Sequence, residues 1–315
     1  MFVVGRTPAI KPGIDQYAPL RPMTLNPVLL LNALASGLLL GAFYALAASG
    51  LAVAFGLVDV VNIAHPAVMV AAAFAASAFS DATRLDPALS TLMVAAPFAF
   101  AGAVLYRGYY FVFERRGDEA IRGLAFFFGL MFLVETALLM IWGADQRFVE
   151  APYTSGVVSL GRVDLPLRMV VPAAASLATL AAVFVFLKAS FLGRAIAAVS
   201  QDREALRLMA VDPVRVKTVA FALSFALAAL AGGALIVIQP VNAASGRIFI
   251  GRLFAIVIIG GLGSPPGTLV AGLLFGVIED MTATLFGPSW TPAVAFGLLL
   301  GFLALRPRGL FGAEA

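Results

Sequence analysis

The chain has 315 residues, 62% of them hydrophobic and 12% charged, with a formal charge of +4. About 25% charged residues is usual for a soluble domain, so this composition excludes one. With no cysteine and a single histidine, disulfides, thiol chemistry and a zinc site built on two histidines are excluded as well.

Runs of about twenty apolar residues recur along the chain, each long enough to cross a hydrocarbon core of roughly 30 Å. Backbone in such a run must satisfy its own hydrogen bonds, which makes helices the default. Barrel strands need shorter segments that alternate polar and apolar residues, and these do not occur. The predicted fold is therefore an all-α, polytopic transmembrane helical bundle of about eight to nine spans, with lipid as its solvent.

The first residues, MFVV, are too short for the apolar core of a signal peptide. Residues 1–27 are polar and Pro-rich and are predicted to form an irregular or interfacial tail. A membrane domain over 28–306 follows, with spans at Val28–Phe55, Val60–Ser80, Ala88–Tyr106, Leu124–Trp142, Met169–Leu187, Val216–Ile238, Leu253–Leu262, Thr268–Phe286 and Thr291–Leu305. The first, at about 1.5 Å per residue, is too long for one upright helix. Leu253–Leu262 is too short alone and is flanked by glycines, the mark of a broken helix. Residues 307–315 form a short tail.

Lys and Arg in short loops set the orientation. Arg107, Arg115, Arg116 and Arg122 surround one loop; Lys188, Arg194, Arg203, Arg207, Arg215 and Lys217 mark a second; Arg306 and Arg308 close the chain. These three regions are assigned to the cytosol. Gly143–Arg168, with three cations against three acids, is assigned to the outside. Counting crossings then puts the N-terminus outside, although Arg6, Lys11 and Arg21 argue the other way.

The spans carry few polar groups. Asn62 and His65 lie three apart in DVVNIAHP and share a face if that stretch is helical. They read as the lining of a path or a hinge between helices, or, with Asp59, as a helix cap. Glu135 sits within an apolar run, and Glu279 and Asp280 end another. Each reads as a path-lining group or as an interhelical clamp to an arginine. The pairs Gly37/Gly41, Gly272/Gly276 and Gly297/Gly301 have the spacing of close helix packing. Gly260–Gly267 reads GGLGSPPG, a sharp turn between spans. Within 188–217, Ala195, Ala198, Leu206, Met209 and Ala210 fall at helical spacings beside Arg194, Asp202, Arg203, Glu204 and Arg207. Pro213 is predicted to end that helix, which reads as a docking surface or as an amphipathic linker on the membrane. No lysine follows a phosphate-cradling loop and no nucleophile elbow occurs, so ATP splitting and hydrolase chemistry of these kinds are excluded.

Several of these segments resemble one family, the membrane permease subunits of ATP-binding-cassette importers for branched-chain amino acids. GAFYALAASGL (Gly41–Leu51), which includes Tyr44, resembles the family's first-span pattern, and VNIAHP (Val61–Pro66) its Asn-Phe-Ala-His-Gly box. LGRAIAAVSQD (Leu192–Asp202) resembles its coupling segment. IIGGLGSPPGTLVAGLLFGVIE (Ile258–Glu279) resembles its late glycine-rich span, and RPRGLFG (Arg306–Gly312) its C-terminal signature. Each segment alone is a weak match, but five in the right order make a strong one.

The resemblance implies alternating access driven from outside the chain. Two cytosolic ATPase subunits would dock on the coupling segment, a second permease subunit would pair with this one, and a periplasmic binding protein would deliver solute at a bacterial inner membrane. It implies no cofactor, metal, nucleic acid or catalytic residue. Gly193, Arg194, Ala198, Asp202 and Arg207 fall in the docking segment. Gly41, Tyr44, Asn62, His65, Gly261, Gly263, Ser264 and Glu279 fall on the path or its gate. Pro66 departs from the family's glycine, and Ala197, Leu206 and Ala210 from its arginine, alanine and glycine. Two other readings stay open: a stand-alone secondary transporter or channel using the span acids, and an intramembrane enzyme built on His65 and Asp59.

Overall fold

The computed structural model describes residues 27–116, 119–151, 153–199, 201, 203–306 and 309–311, with backbone alone at 116, 119, 120 and 203–205. The tails predicted at 1–27 and 307–315 thus lie outside the described residues, apart from Pro27 and residues 309–311. The helices are α1 (Pro27–Ala52, continued by a π-helical turn Val53–Leu57), α2 (His65–Thr83), α3 (Pro87–Val112), α4 (Glu119–Trp142), α5 (Leu167–Ala189), α6 (Phe191–Val199), α7 (Arg203–Leu208), α8 (Pro213–Ile238), α9 (Gly246–Gly260), α10 (Pro265–Phe286) and α11 (Thr291–Leu305). Strands β1 (Val157–Leu160) and β2 (Val163–Pro166) form a small antiparallel hairpin between α4 and α5. Among the described residues, nine helical segments are long and apolar enough to cross a membrane. The chain is an all-α, multi-pass membrane bundle.

Local chemistry starts several of these helices. Asp86 accepts from the Ala88 N–H at 2.8 Å and Asp212 from the Val214 N–H at 2.9 Å, each just before a proline that opens the helix. Ser264 does the same for α10 ahead of Pro265 and Pro266. A capping oxygen followed by proline satisfies a free N–H and presets the first turn. Pro213 therefore starts α8, and the predicted helix stop there is corrected. Helix α7 has already ended at Leu208, with Ala210 at φ 59°.

Three other boundaries differ. The second span was predicted from Val60, but α2 begins at His65, and residues 58–64 are non-helical although Val58, Val60, Asn62 and Ala64 are buried. The short span Leu253–Leu262 is instead α9, which starts at Gly246 and takes in Arg247 and Arg252. The charged loop read at 188–217 shrinks to 190–212, because α5 and α8 claim its two ends. Ser190 breaks the chain between α5 and α6: its hydroxyl donates to the Phe186 carbonyl at 2.7 Å and accepts from the Gly193 N–H at 2.8 Å.

Helices α1 and α10 run antiparallel with their glycines face to face. A Cβ on Gly41 would sit 2.7 Å from the Leu273 Cα, one on Gly37 2.7 Å from the Val277 Cα, and one on Gly272 2.7 Å from the Ala45 Cα. Two of the three glycine pairs thus pack as their spacing predicts, whereas Gly297 and Gly301 have nothing within 4 Å. Helices α2, α3 and α8 form a second group around buried Phe74, Tyr106, Phe221 and Leu227. The Asp164 N–H in β2 donates to the Asn32 side chain at 2.9 Å, so the first turns of α1 stand at the hairpin end of the bundle. The opposite end carries α6, α7 and the turn from α9 to α10.

Candidate functional site

At the α6 end, Gly193, Ala195, Ile196 and Val199 are buried while Phe191, Leu192, Arg194 and Ala197 are exposed. Spacings of three and four put one face of α6 onto the bundle and the other into solvent. Gly193 lies directly against the backbone of Phe186 and Leu187 at the end of α5. Ala198 is half-buried, and Arg207 stands in the last turn of α7. Asp202 lies outside the described residues.

Gly56 in the π-helical turn of α1 touches the backbone of Gly263. The α9–α10 turn itself needs glycine, because Gly261 has φ 97° and Gly263 φ 76°, a region that other residues enter only at a cost. The C-terminal segment supports the same turn: the Leu310 N–H donates to the Ile259 carbonyl at 2.7 Å and the Phe311 N–H to that of Gly260 at 3.3 Å. A predominantly apolar cavity of about 250 Å³ opens beside it, lined by Ser49, Val53, Leu57, Leu180, Phe184 and Gly263 among others. Asn62, His65, Tyr44 and Glu279 are not among its lining residues.

Tyr44 and Glu279 meet. The Tyr44 hydroxyl donates to one Glu279 oxygen at 2.8 Å, and Arg252 Nη2 holds the other at 2.6 Å. This clamp joins α1, α9 and α10. Glu135 is clamped likewise, with both its oxygens held by Arg247 at 2.8 and 2.9 Å, which joins α4 to α9. Both arginines were missed because the predicted span began at Leu253. The readable signal was an acid within a span, which requires a cation nearby.

Asn62 and His65 do not join that clamp. His65 is fully buried, with Nε2 3.1 Å from the Ala47 carbonyl. A carbonyl only accepts, so Nε2 carries the proton and Nδ1 is the bare nitrogen. Nδ1, both amide atoms of Asn62 and the Ser224 hydroxyl are buried without a protein partner. A Cβ on Gly50 would lie 2.6 Å from the His65 ring and 2.9 Å from the Ser224 carbonyl oxygen. His65 thus lies where α1 meets α2 and α8, against Gly50 and the Ser224 backbone. Asn62 does not cap α2, whose N-cap, Ala64, makes no side-chain bond.

At the hairpin end, burial, the neighbouring Asp86 charge and a hydrogen bond with Asp86 push the Tyr153 phenol up to about 12. The folded chain then keeps a proton that the unfolded chain releases near pH 10, so this contribution is full below about pH 10 and is lost as pH rises toward 12. Tyr153→Phe should flatten the loss of stability over that window in a pH series of thermal unfolding. Equal slopes for the two proteins would contradict this account.

The structure is thus a multi-pass membrane bundle with an amphipathic helix seated at one end and with Glu135 and Glu279 tied to arginines. The chain belongs to the family described as branched-chain amino acid transport system / permease component, which it matches over residues 33–303. It is similar to the high-affinity branched-chain amino acid transport system permease protein BraD of Pseudomonas aeruginosa, 27% identical over 295 residues, covering 90% of this chain and 95% of the relative. LivH of Escherichia coli, with the same description, is 26% identical over 296 residues, covering 88% and 94%. LivM of Salmonella typhimurium is 31% identical over 121 residues, covering 38% and 28%. No solved structure matches the chain.

Proposed function

We propose that this chain forms the translocation path of an ATP-driven importer for branched-chain amino acids in a bacterial inner membrane. Two cytosolic ATPase subunits dock on α6 and α7 within 188–217, a second permease subunit completes the path, and a periplasmic binding protein delivers the solute. The observation that carries this reading is α6 itself. Its apolar face is locked onto the end of α5 through Gly193, while Arg194 faces outward, where a partner can push on it. Family membership and the names of the relatives support the substrate class and the permease role.

Force entering at α6 has a short route inward. Helix α6 packs against the π-helical turn of α1, which lies against Gly263 in the α9–α10 turn. A π-helical turn is a common feature of functional sites, and here it joins the docking helix to the mouth of the apolar cavity. Gly261, Gly263 and Ser264 shape the gate on this reading, and Asn62 and His65 form a joint between moving groups. Gly41, Tyr44 and Glu279 hold the wall. A gradient-driven carrier needs acids free to bind and release its coupling ion; Glu135 and Glu279 are each held by an arginine. The predicted clamp at Asp280 does not form among the described residues, which leaves that acid of α10 as the carrier reading's one candidate among the three.

The test is charge reversal at Arg194 in the assembled complex, reconstituted in liposomes with the binding protein and radiolabelled leucine. Arg194→Glu should lower leucine uptake per ATP hydrolysed by about tenfold, the scale of a 1.4 kcal/mol coupling. Uptake per ATP at the unaltered level removes the docking role. Uptake by the purified chain alone, driven by an ion gradient, removes the ATP-driven reading altogether.

A further inference from the structure

We propose that the buried Glu114–Lys217 pair, steadied by Tyr106, is a positioning element that makes α3 and α8 move as one body when the α6–α7 segment is displaced. The inference rests on the docking role assigned above to that segment. Lys217 Nζ donates to Glu114 Oε1 at 2.7 Å, and the Tyr106 hydroxyl donates to Glu114 Oε2 at 2.7 Å. The side chains are 2% exposed for Lys217 and 8% for Glu114. Both carboxylate oxygens are thus satisfied and the ammonium is sealed from water. Lys217 lies in the first turns of α8, directly after the docking segment, and Glu114 in the 3-10 turn that follows α3.

The rest of the α3–α8 contact is of a different kind. Near the middle, Gly102 lies against the Phe225 ring, and toward the hairpin end Gly233 lies against Thr91. Such contacts permit close approach and interlock by shape, but they place no charge pair between the helices. A directional pair holds position along the helix axis, because an ammonium displaced from its carboxylate is left buried and alone. Net stability is a poor reason for such a pair, since apolar residues of similar volume often serve as well. Its place supplies a better one: it fixes register at the end of the bundle where force enters. Arg115 and Arg207 line the hollow beside it with Tyr110, so α7 reaches the same junction.

The experiment uses the assembled complex, purified through this chain and reconstituted with ATP, binding protein and radiolabelled leucine. Removing both charges together, as Glu114→Gln with Lys217→Met, avoids leaving either one buried alone. The expected result is ATPase co-purification and ATP hydrolysis within about twofold of the unaltered complex, with leucine uptake per ATP down about tenfold. Tyr106→Phe, which keeps the pair but removes its support, should fall between the two. Unchanged uptake per ATP in the double variant overturns the proposal. A parallel loss of hydrolysis and uptake, or failure to assemble, also overturns it, because the pair is then purely structural. Failure of the docking reading shows separately, as an unaltered complex without ATPase or without ATP-driven uptake.

Discussion

Gly276→Leu should destabilise the protein by about 3 kcal/mol, the upper end of the usual overpacking cost. The reason is what the new side chain meets. A Cβ at 276 runs into the backbone of Gly41 and the Gly37 carbonyl rather than into a side chain that could rotate away. The opposite wall is equally rigid, since a Cβ on Gly41 meets the Leu273 Cα at 2.7 Å. Helices α1 and α10 would have to separate, and Tyr44 would lose its reach to Glu279. Gly297→Leu is the matched control. It adds the same atoms at another glycine of an apolar helix, but nothing lies within 4 Å, so its effect should stay within about 0.5 kcal/mol. Unfolding of both variants in detergent, followed by helical signal against temperature or denaturant, measures the difference. Equal midpoints for the two would show that α1 and α10 are not in backbone contact.

The contrast between these glycines shows where sequence reasoning stops. Spacing identified three pairs as packing faces, and it did so from local pattern alone. Which pairs meet a partner depends on helices more than two hundred residues apart in the chain, as with Gly41 and Gly276. The same division runs through the fold. Helix starts at Asp86-Pro87, Asp212-Pro213 and Ser264-Pro265 are written in adjacent residues, so their chemistry is readable in order along the chain. Reading Pro213 as a stop ignored the capping oxygen beside it. The start of α2 is set from outside: residues 58–64 are apolar enough to pass for helix, and the His65 ring instead packs on Gly50 and the Ala47 carbonyl of α1.

The candidate site divides in the same way. The two faces of α6 were visible as apolar residues at helical spacing among charges, and Gly193 stands on the buried face and Arg194 on the exposed one. Its length was not visible, because the break at Ser190 turns on one hydroxyl serving two backbone groups. Arg252 was hidden for a physical reason. Hydropathy counts an arginine against a span, yet an arginine paired with an acid from another helix brings its own compensation. Lys217, counted among the cations of the cytosolic loop, proves one of the most buried polar residues among those described. A sequence registers its charge and not the Glu114 waiting for it in the turn after α3.

Arg252→Met should cost about 3–5 kcal/mol, the range for removing one partner of a buried ion pair. Arg252 is 17% exposed and Glu279 11%, so water does little to compensate the carboxylate left behind, which keeps only the Tyr44 hydroxyl. Arg247→Met offers the comparison within one helix. Arg247 is 54% exposed but Glu135 only 7%, so its removal also strands a buried carboxylate, one without a tyrosine beside it, and the cost should lie in the same range of about 3–5 kcal/mol. Removing both charges, as Arg252→Met with Glu279→Gln, should recover much of the loss, because no ion is then stranded and Tyr44 can still donate to the amide oxygen. A double-mutant cycle on unfolding midpoints, completed by Glu279→Gln alone, separates the pair from its parts. The cycle also bears on mechanism. A clamp predicts that the double variant regains stability and retains ATP-driven uptake, because its task is to hold α9 against α1 and α10. If Glu279 instead bound a coupling ion, the double variant would be stable and inactive, and ATP-driven import through this chain would need another account of its wall.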